Sequence, residues 1–169
     1  WGTIGNMATP QPRVDLEGDQ HNGRYAGFWG IFVRSSHYYD RAAMEYRDMG
    51  YGRMTTVGKV SDGTSKTGMI VEKRIQADRY GTSWTDDDAG WSDGWDYDTL
   101  RSTICPPVSD TGTPTESRDI TTAGSAHAAG IHSVFADGAV HAISYDVDLE
   151  TFNRIGHRSD GENIDPDVL

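Results

Sequence analysis

The most constraining feature of the chain is an Asp-Gly pair, Asp137-Gly138, set between two apolar runs at 131–136 and 139–145. Asp-Gly is the preferred pair for a two-residue type I′ turn, in which both central residues need positive φ. An antiparallel hairpin is therefore predicted. In that register Phe135 faces Val140 on one side, while Val134 pairs with His141 and His132 with Ile143 on the other. Behind the hairpin, Asp146 or Asp148 offers a helix N-cap. Leu149, Phe152 and Ile155 form the buried side of a short helix, and Gly156 forms its stop.

Other segments read less sharply. Residues 1–24 form an irregular arm broken by glycine and proline, and 25–34 read as a buried strand. Residues 40–49 read either as a short helix capped by Asp40 and ended by Gly50, or as a loop with ordered aromatics. Two alternating apolar runs, 53–60 and 68–75, flank a cluster of turn formers at 61–67, and 106–124 read as a surface loop. With 169 residues, one domain over 1–169 is expected. The fold class is mainly β (α+β), an antiparallel sheet with short helices. Five Trp, eight Tyr and four Phe argue against disorder, and 20 glycines favour strands and loops.

Charge and cysteine content narrow the chemistry. A net charge of −11 disfavours nucleic acid and anionic membrane surfaces, and leaves cation binding open. No apolar run approaches the length of a membrane span. The single cysteine, Cys105, excludes an internal disulfide and Cys-rich zinc sites, and has no basic neighbour to activate it. A nucleophile elbow, a Walker loop and a dinucleotide fingerprint are all lacking, so an enzyme is not expected, and a hydrolase with a site no motif reveals is the least favoured alternative.

Two constellations stand out. Asp86, Asp87, Asp88, Asp93, Asp96 and Asp98 place six carboxylates within 13 residues, interleaved with Trp84, Trp91 and Trp95. Oxygen-rich loops of this kind suit Ca²⁺, although the spacing is not that of an EF-hand. The tryptophans could also stack on sugar rings, which makes a carbohydrate- or Ca²⁺-binding module the alternative function. The plain reading is turn-capping aspartates on a solvated loop. The second constellation is His127, His132 and His141. In the predicted register His132 and His141 share a face without standing opposite, and His127 precedes the strand. These histidines read as bonded to backbone or solvent rather than as a zinc site.

Three blocks together resemble a known family. They are residues 60–73, residues 90–103, and Gly124-Ser125-Ala126-His127 followed after nine residues by Asp137-Gly138 and then Ile143-Ser144-Tyr145-Asp146. This resembles the planctomycete-type prepilin-like DUF1559 family, whose C-terminal signature is His-x9-Asp-Gly. The resemblance spans about residues 50–165 and implies an extracellular, cell-surface or periplasmic structural protein. Its expected form is a type IV pilin-like or pseudopilin-like head that follows a leader and a long apolar helix. Neither precedes the head in this sequence, so the chain is expected to be the C-terminal part of such a head, with no membrane contact through this segment. The implied partners are copies of itself or related pilin-like subunits. His127, Asp137 and Gly138 transfer as motif members with no assigned role. By looser analogy with the cation-ordered loops of secretion pseudopilins, 86–98 is the candidate Ca²⁺ loop.

Overall fold

The computed structural model describes residues 30–32, 37–40, 42–48, 55–82, 87, 98–99, 101–103, 105–113 and 121–165. Its centre is a three-stranded antiparallel sheet of β3 (Gly68–Val71), β4 (Gly130–Phe135) and β5 (Val140–Ser144), in the order β3-β4-β5. A separate pair, β1 (His37–Asp40) and β2 (Glu45–Asp48), forms a two-stranded antiparallel ribbon. The one α-helix among the described residues, α1 (Leu149–Ile155), follows β5. The fold is therefore the expected mainly β arrangement with short helices.

The central hairpin forms where the Asp-Gly pair predicts it, with a different turn. Phe135 N–H donates to Ala139 O at 2.8 Å, and Gly138 N–H donates to Phe135 O at 2.9 Å. The loop thus has three residues, 136–138, and of these only Gly138 has positive φ, at 89°. This is a turn closed by a left-handed glycine, not the two-residue type I′ turn. Asp137 Oδ1 accepts from Ala139 N–H at 2.9 Å.

The extra loop residue moves the register by one. Val134 pairs with Val140, Ser133 with His141, His132 with Ala142, and Ile131 with Ile143. A one-residue slip exchanges the faces on which partners meet. Ile131, Ser133, Phe135 and Ile143 line the buried face, and His132, Val140 and Ala142 the exposed one. His132 and His141 therefore lie on opposite faces, contrary to the predicted register. His141 packs edge-on against Phe135, with ring centroids 4.7 Å apart.

The core lies between this face and α1. Ala123, Ile131, Phe135, Ile143, Phe152, Ile155 and Ile164 form one buried cluster, with Val71, Tyr145 and Val147 packed against it. Asp148 caps α1, its Oδ2 accepting from Thr151 N–H at 2.9 Å. Phe152 and Ile155 are buried as predicted, but Leu149 is only half-buried, and Asn153 takes a core position beside Thr103. Gly156 ends the helix with φ −77°, so its conformational freedom is not used there.

Several segments differ from their sequence reading. The described residues of 40–49 are neither helix nor plain loop: they carry the end of β1 at Asp40, a turn at 42–44 and β2 at Glu45–Asp48, with Met44 at φ 54°. Ten residues are too few for a helix without packing support, and Tyr39 and Tyr46 favour strand pairing. The run at 53–60 holds a 3₁₀ turn, Val57–Lys59, rather than a strand. Residues 30–32 form a bend, which Arg158 Nη1 anchors by donating to Gly30 O at 2.7 Å. The rest of 25–34 lies outside the described residues, as does the arm at 1–24.

The 106–124 stretch is not a surface loop at its end. Residues 121–125 are all buried, and Cys105 is buried as well. The segment is threaded between two partners. Gly124 N–H donates to Glu72 O, while Val108 and Asp110 N–H donate to Ala123 O and Ser125 O.

Candidate functional site

The exposed side of the sheet gathers three ionisable side chains. Glu72 directly follows β3, His132 lies in β4, and His127 sits in the loop that leads into β4. Strand alternation points Glu72 and His132 to the same face. Glu72 Oε1 lies 3.3 Å from His127 Nε2, and Oε2 lies 3.4 Å from His132 Nδ1. The two imidazoles meet edge to face, centroids 4.8 Å apart at 88°. One ligand atom from each residue falls within 4.8 Å of the others.

The backbone holds this trio in place. His132 N–H donates to Glu72 Oε2 at 2.7 Å. His127 N–H donates to Ser125 Oγ at 3.1 Å, and Ser125 Oγ donates to Gly130 O at 2.8 Å. The Tyr145 hydroxyl reaches Ser125 O at 3.0 Å and His127 O at 3.2 Å. Tyr145 itself packs on the core, so the loop carrying His127 is braced from beneath.

A second cluster joins the 61–67 turn to the segment after α1. Asp62 accepts backbone N–H groups from Asp160 at 2.6 Å and Gly161 at 2.9 Å. His157 is 4% exposed, and its Nδ1 accepts from Ser159 N–H at 3.1 Å. Burial pushes the His157 imidazole below its usual pKa; the Asp62 carboxylate opposes this and Arg158 adds to it. Burial also raises the Asp160 carboxyl, against the Glu162 N–H, and the neighbouring Asp62 adds to the rise. Asp160 Oδ2 is buried without a hydrogen-bond partner. Asp62 is thus committed to the backbone, and this cluster works as a clamp on the C-terminal segment.

Residues 3–150 match the family described as a protein of unknown function, DUF1559. The chain belongs to that family. No curated protein and no solved structure matches the chain significantly. The DUF1559 match begins well before residue 50, where the resemblance read from the motifs starts, and takes in the N-terminal arm. Among the described residues of this DUF1559 chain, no helix is long and apolar enough to cross a membrane.

The signature residues now have positions. Asp137 and Gly138 make the β4–β5 turn, and the turn docks onto the 61–67 segment. Ala136 N–H donates to Thr67 O at 2.9 Å and Asp137 N–H to Thr64 O at 3.2 Å. His127 stands ten residues earlier, at the other end of β4, in the exposed trio. Gly124 is needed for close approach: a Cβ there would lie 2.1 Å from Val108 O and 2.6 Å from Arg74 Cβ.

Of the acidic loop, Asp86, Asp88, Asp93, Asp96, Trp84, Trp91 and Trp95 lie outside the described residues. The two described carboxylates both face Lys73 Nζ, Asp87 at 2.8 Å and Asp98 at 3.8 Å. The histidines are not simply bonded to backbone and solvent: His127 and His132 converge, while His141 is turned away. Sequence reasoning missed Glu72. It lies 60 positions before His132, and its only local signal is its place at the end of the 60–73 block.

Proposed function

We propose that this chain is the β-rich head of an extracellular pilin-like subunit, a structural and interaction protein rather than an enzyme. The observation that carries this reading is where the signature residues work. Gly138 closes the hairpin turn, Ala136 and Asp137 join it to Thr67 and Thr64 of the 61–67 segment, and Gly124 and Ser125 seat the buried 121–125 segment. These are tasks of backbone geometry, and they stabilise a presented surface rather than line a substrate cavity. The partners are copies of this chain or related pilin-like subunits, met through polar surfaces. A charge of −11 makes nucleic acid an unfavourable partner.

An antibody raised against the chain tests this in its native cells. Labelling of intact cells, with recovery of the protein in sheared surface filaments, is the expected result. Labelling only after lysis would overturn the extracellular assignment. A surface protein absent from every filament fraction would overturn the subunit role.

A further inference from the structure

The separations in the Glu72 trio are longer than a short charge-assisted hydrogen bond and are compatible with ligands gathered around one ion. Charge-assisted N–H···O bonds run at about 2.7–2.9 Å. Glu72 instead stands 3.3 Å from His127 Nε2 and 3.4 Å from His132 Nδ1. In tetrahedral zinc sites with ligands at about 2.0–2.2 Å, neighbouring ligand atoms are about 3.3–3.6 Å apart by simple geometry. Each contact falls on that edge length, His127 against one Glu72 oxygen and His132 against the other, and one ligand atom from each of the three residues lies within 4.8 Å of the others.

We propose that Glu72, His127 and His132 bind one divalent transition-metal ion of the zinc class. The donor set selects the class. Two imidazoles and one carboxylate suit Zn²⁺, Cu²⁺ or Ni²⁺, whereas Ca²⁺ takes six to eight oxygens and the trio offers only the two of Glu72. Three protein ligands leave one position for water or for a group from another molecule.

The supporting frame is already in place. Glu72 is tied to the backbone of His132 in both directions, its N–H donating to His132 O at 3.2 Å and its Oε2 accepting from His132 N–H. The His127 backbone is fixed by Ser125 and Tyr145. The His127 and His132 side chains are 56% and 50% exposed, so their rings can turn to close on an ion without disturbing the core. Ligands carried by paired strands and a braced loop lose little freedom on binding.

The test uses the tag-free chain, stripped with EDTA and titrated with ZnCl₂ by calorimetry, with circular dichroism as a folding control. Wild type is expected to bind one Zn²⁺ at this site. His127→Ala and His132→Ala each lower the affinity at least tenfold while keeping the wild-type dichroism. His141→Ala, altered on the opposite face, binds as wild type does. Co²⁺ gives the visible absorption of a four-coordinate site in wild type, and this is lost in His127→Ala. Absence of Zn²⁺ binding at micromolar concentrations overturns the proposal, as does undiminished binding by both His127→Ala and His132→Ala.

Discussion

Glu72 and His132 are joined twice: the Glu72 N–H donates to His132 O at 3.2 Å, and the His132 N–H donates to Glu72 Oε2 at 2.7 Å. The first bond extends the β3–β4 ladder by one residue. The second turns a strand-end carboxylate back onto the neighbouring backbone, as a cap does at a helix end. Two residues 60 positions apart thereby close the edge of the sheet on which His127 also rests.

Glycines at the two ends of β4 should respond differently to alanine. At Gly130 a Cβ would sit 2.1 Å from Ile143 O, a backbone atom that cannot move without breaking the hairpin. At Gly138 there is open space, and the obstacle is only φ of 89°. Gly138→Ala should cost about 1–2 kcal/mol from forced left-handed geometry. Gly130→Ala should cost more, toward the upper end of the roughly 1–3 kcal/mol typical of overpacking. Urea unfolding of both variants checks the order, and equal stabilities would contradict it.

The Tyr145 hydroxyl and Ser125 act as one unit. Their oxygens lie 3.0 Å apart, and together they serve Gly130 O, His127 N–H and His127 O. Tyr145→Phe should destabilise by about 1 kcal/mol, and Ser125→Ala, which strips a buried hub, by about 1–3 kcal/mol. The double variant should lose less than the sum, because each change already breaks part of the shared network. Strictly additive losses in thermal melts would show that the two act separately.

The clamp at Asp62 makes stability depend on pH in two opposed ways. The folded His157 pKa is depressed, so its contribution is fully present above the unfolded value near 6.5 and is lost as pH falls through the folded one. The folded Asp160 pKa is raised, so its contribution is present below the unfolded value of 3.8 and is lost as pH rises through the folded one. Asp160→Asn should therefore raise Tm at pH 7, and the gain should fade as the solution is acidified. His157→Asn keeps an acceptor for Ser159 N–H and should flatten the decline below pH 6.5. A Tm profile unchanged by either substitution would place the pH dependence elsewhere.

Local chemistry by itself determined the hairpin and the capped helix. Asp137-Gly138 between alternating apolar runs has few other conformations open to it, and the aspartates at 146 and 148 mark the start of the helix, with Asp148 taking the cap. Both signals act within a few residues, so no distant partner is needed to express them. The same local chemistry left 40–49 between a short helix and a loop and did not show the strand, because so short a run gains its preference only by pairing.

Register, and with it the site, was decided only by the tertiary structure. The three-residue hairpin loop is held by Ala136 and Asp137 donating to Thr67 and Thr64, bonds that reach back across about 70 positions. That loop length moved the pairing by one residue, turned His141 onto Phe135, and left His132 on the face where Glu72 and His127 converge. Strand alternation gives side chains a face, but it carries no information about which residue of a remote strand lies alongside. That comes from long-range hydrogen bonds and from burial of Ile131, Phe135 and Ile143 against α1.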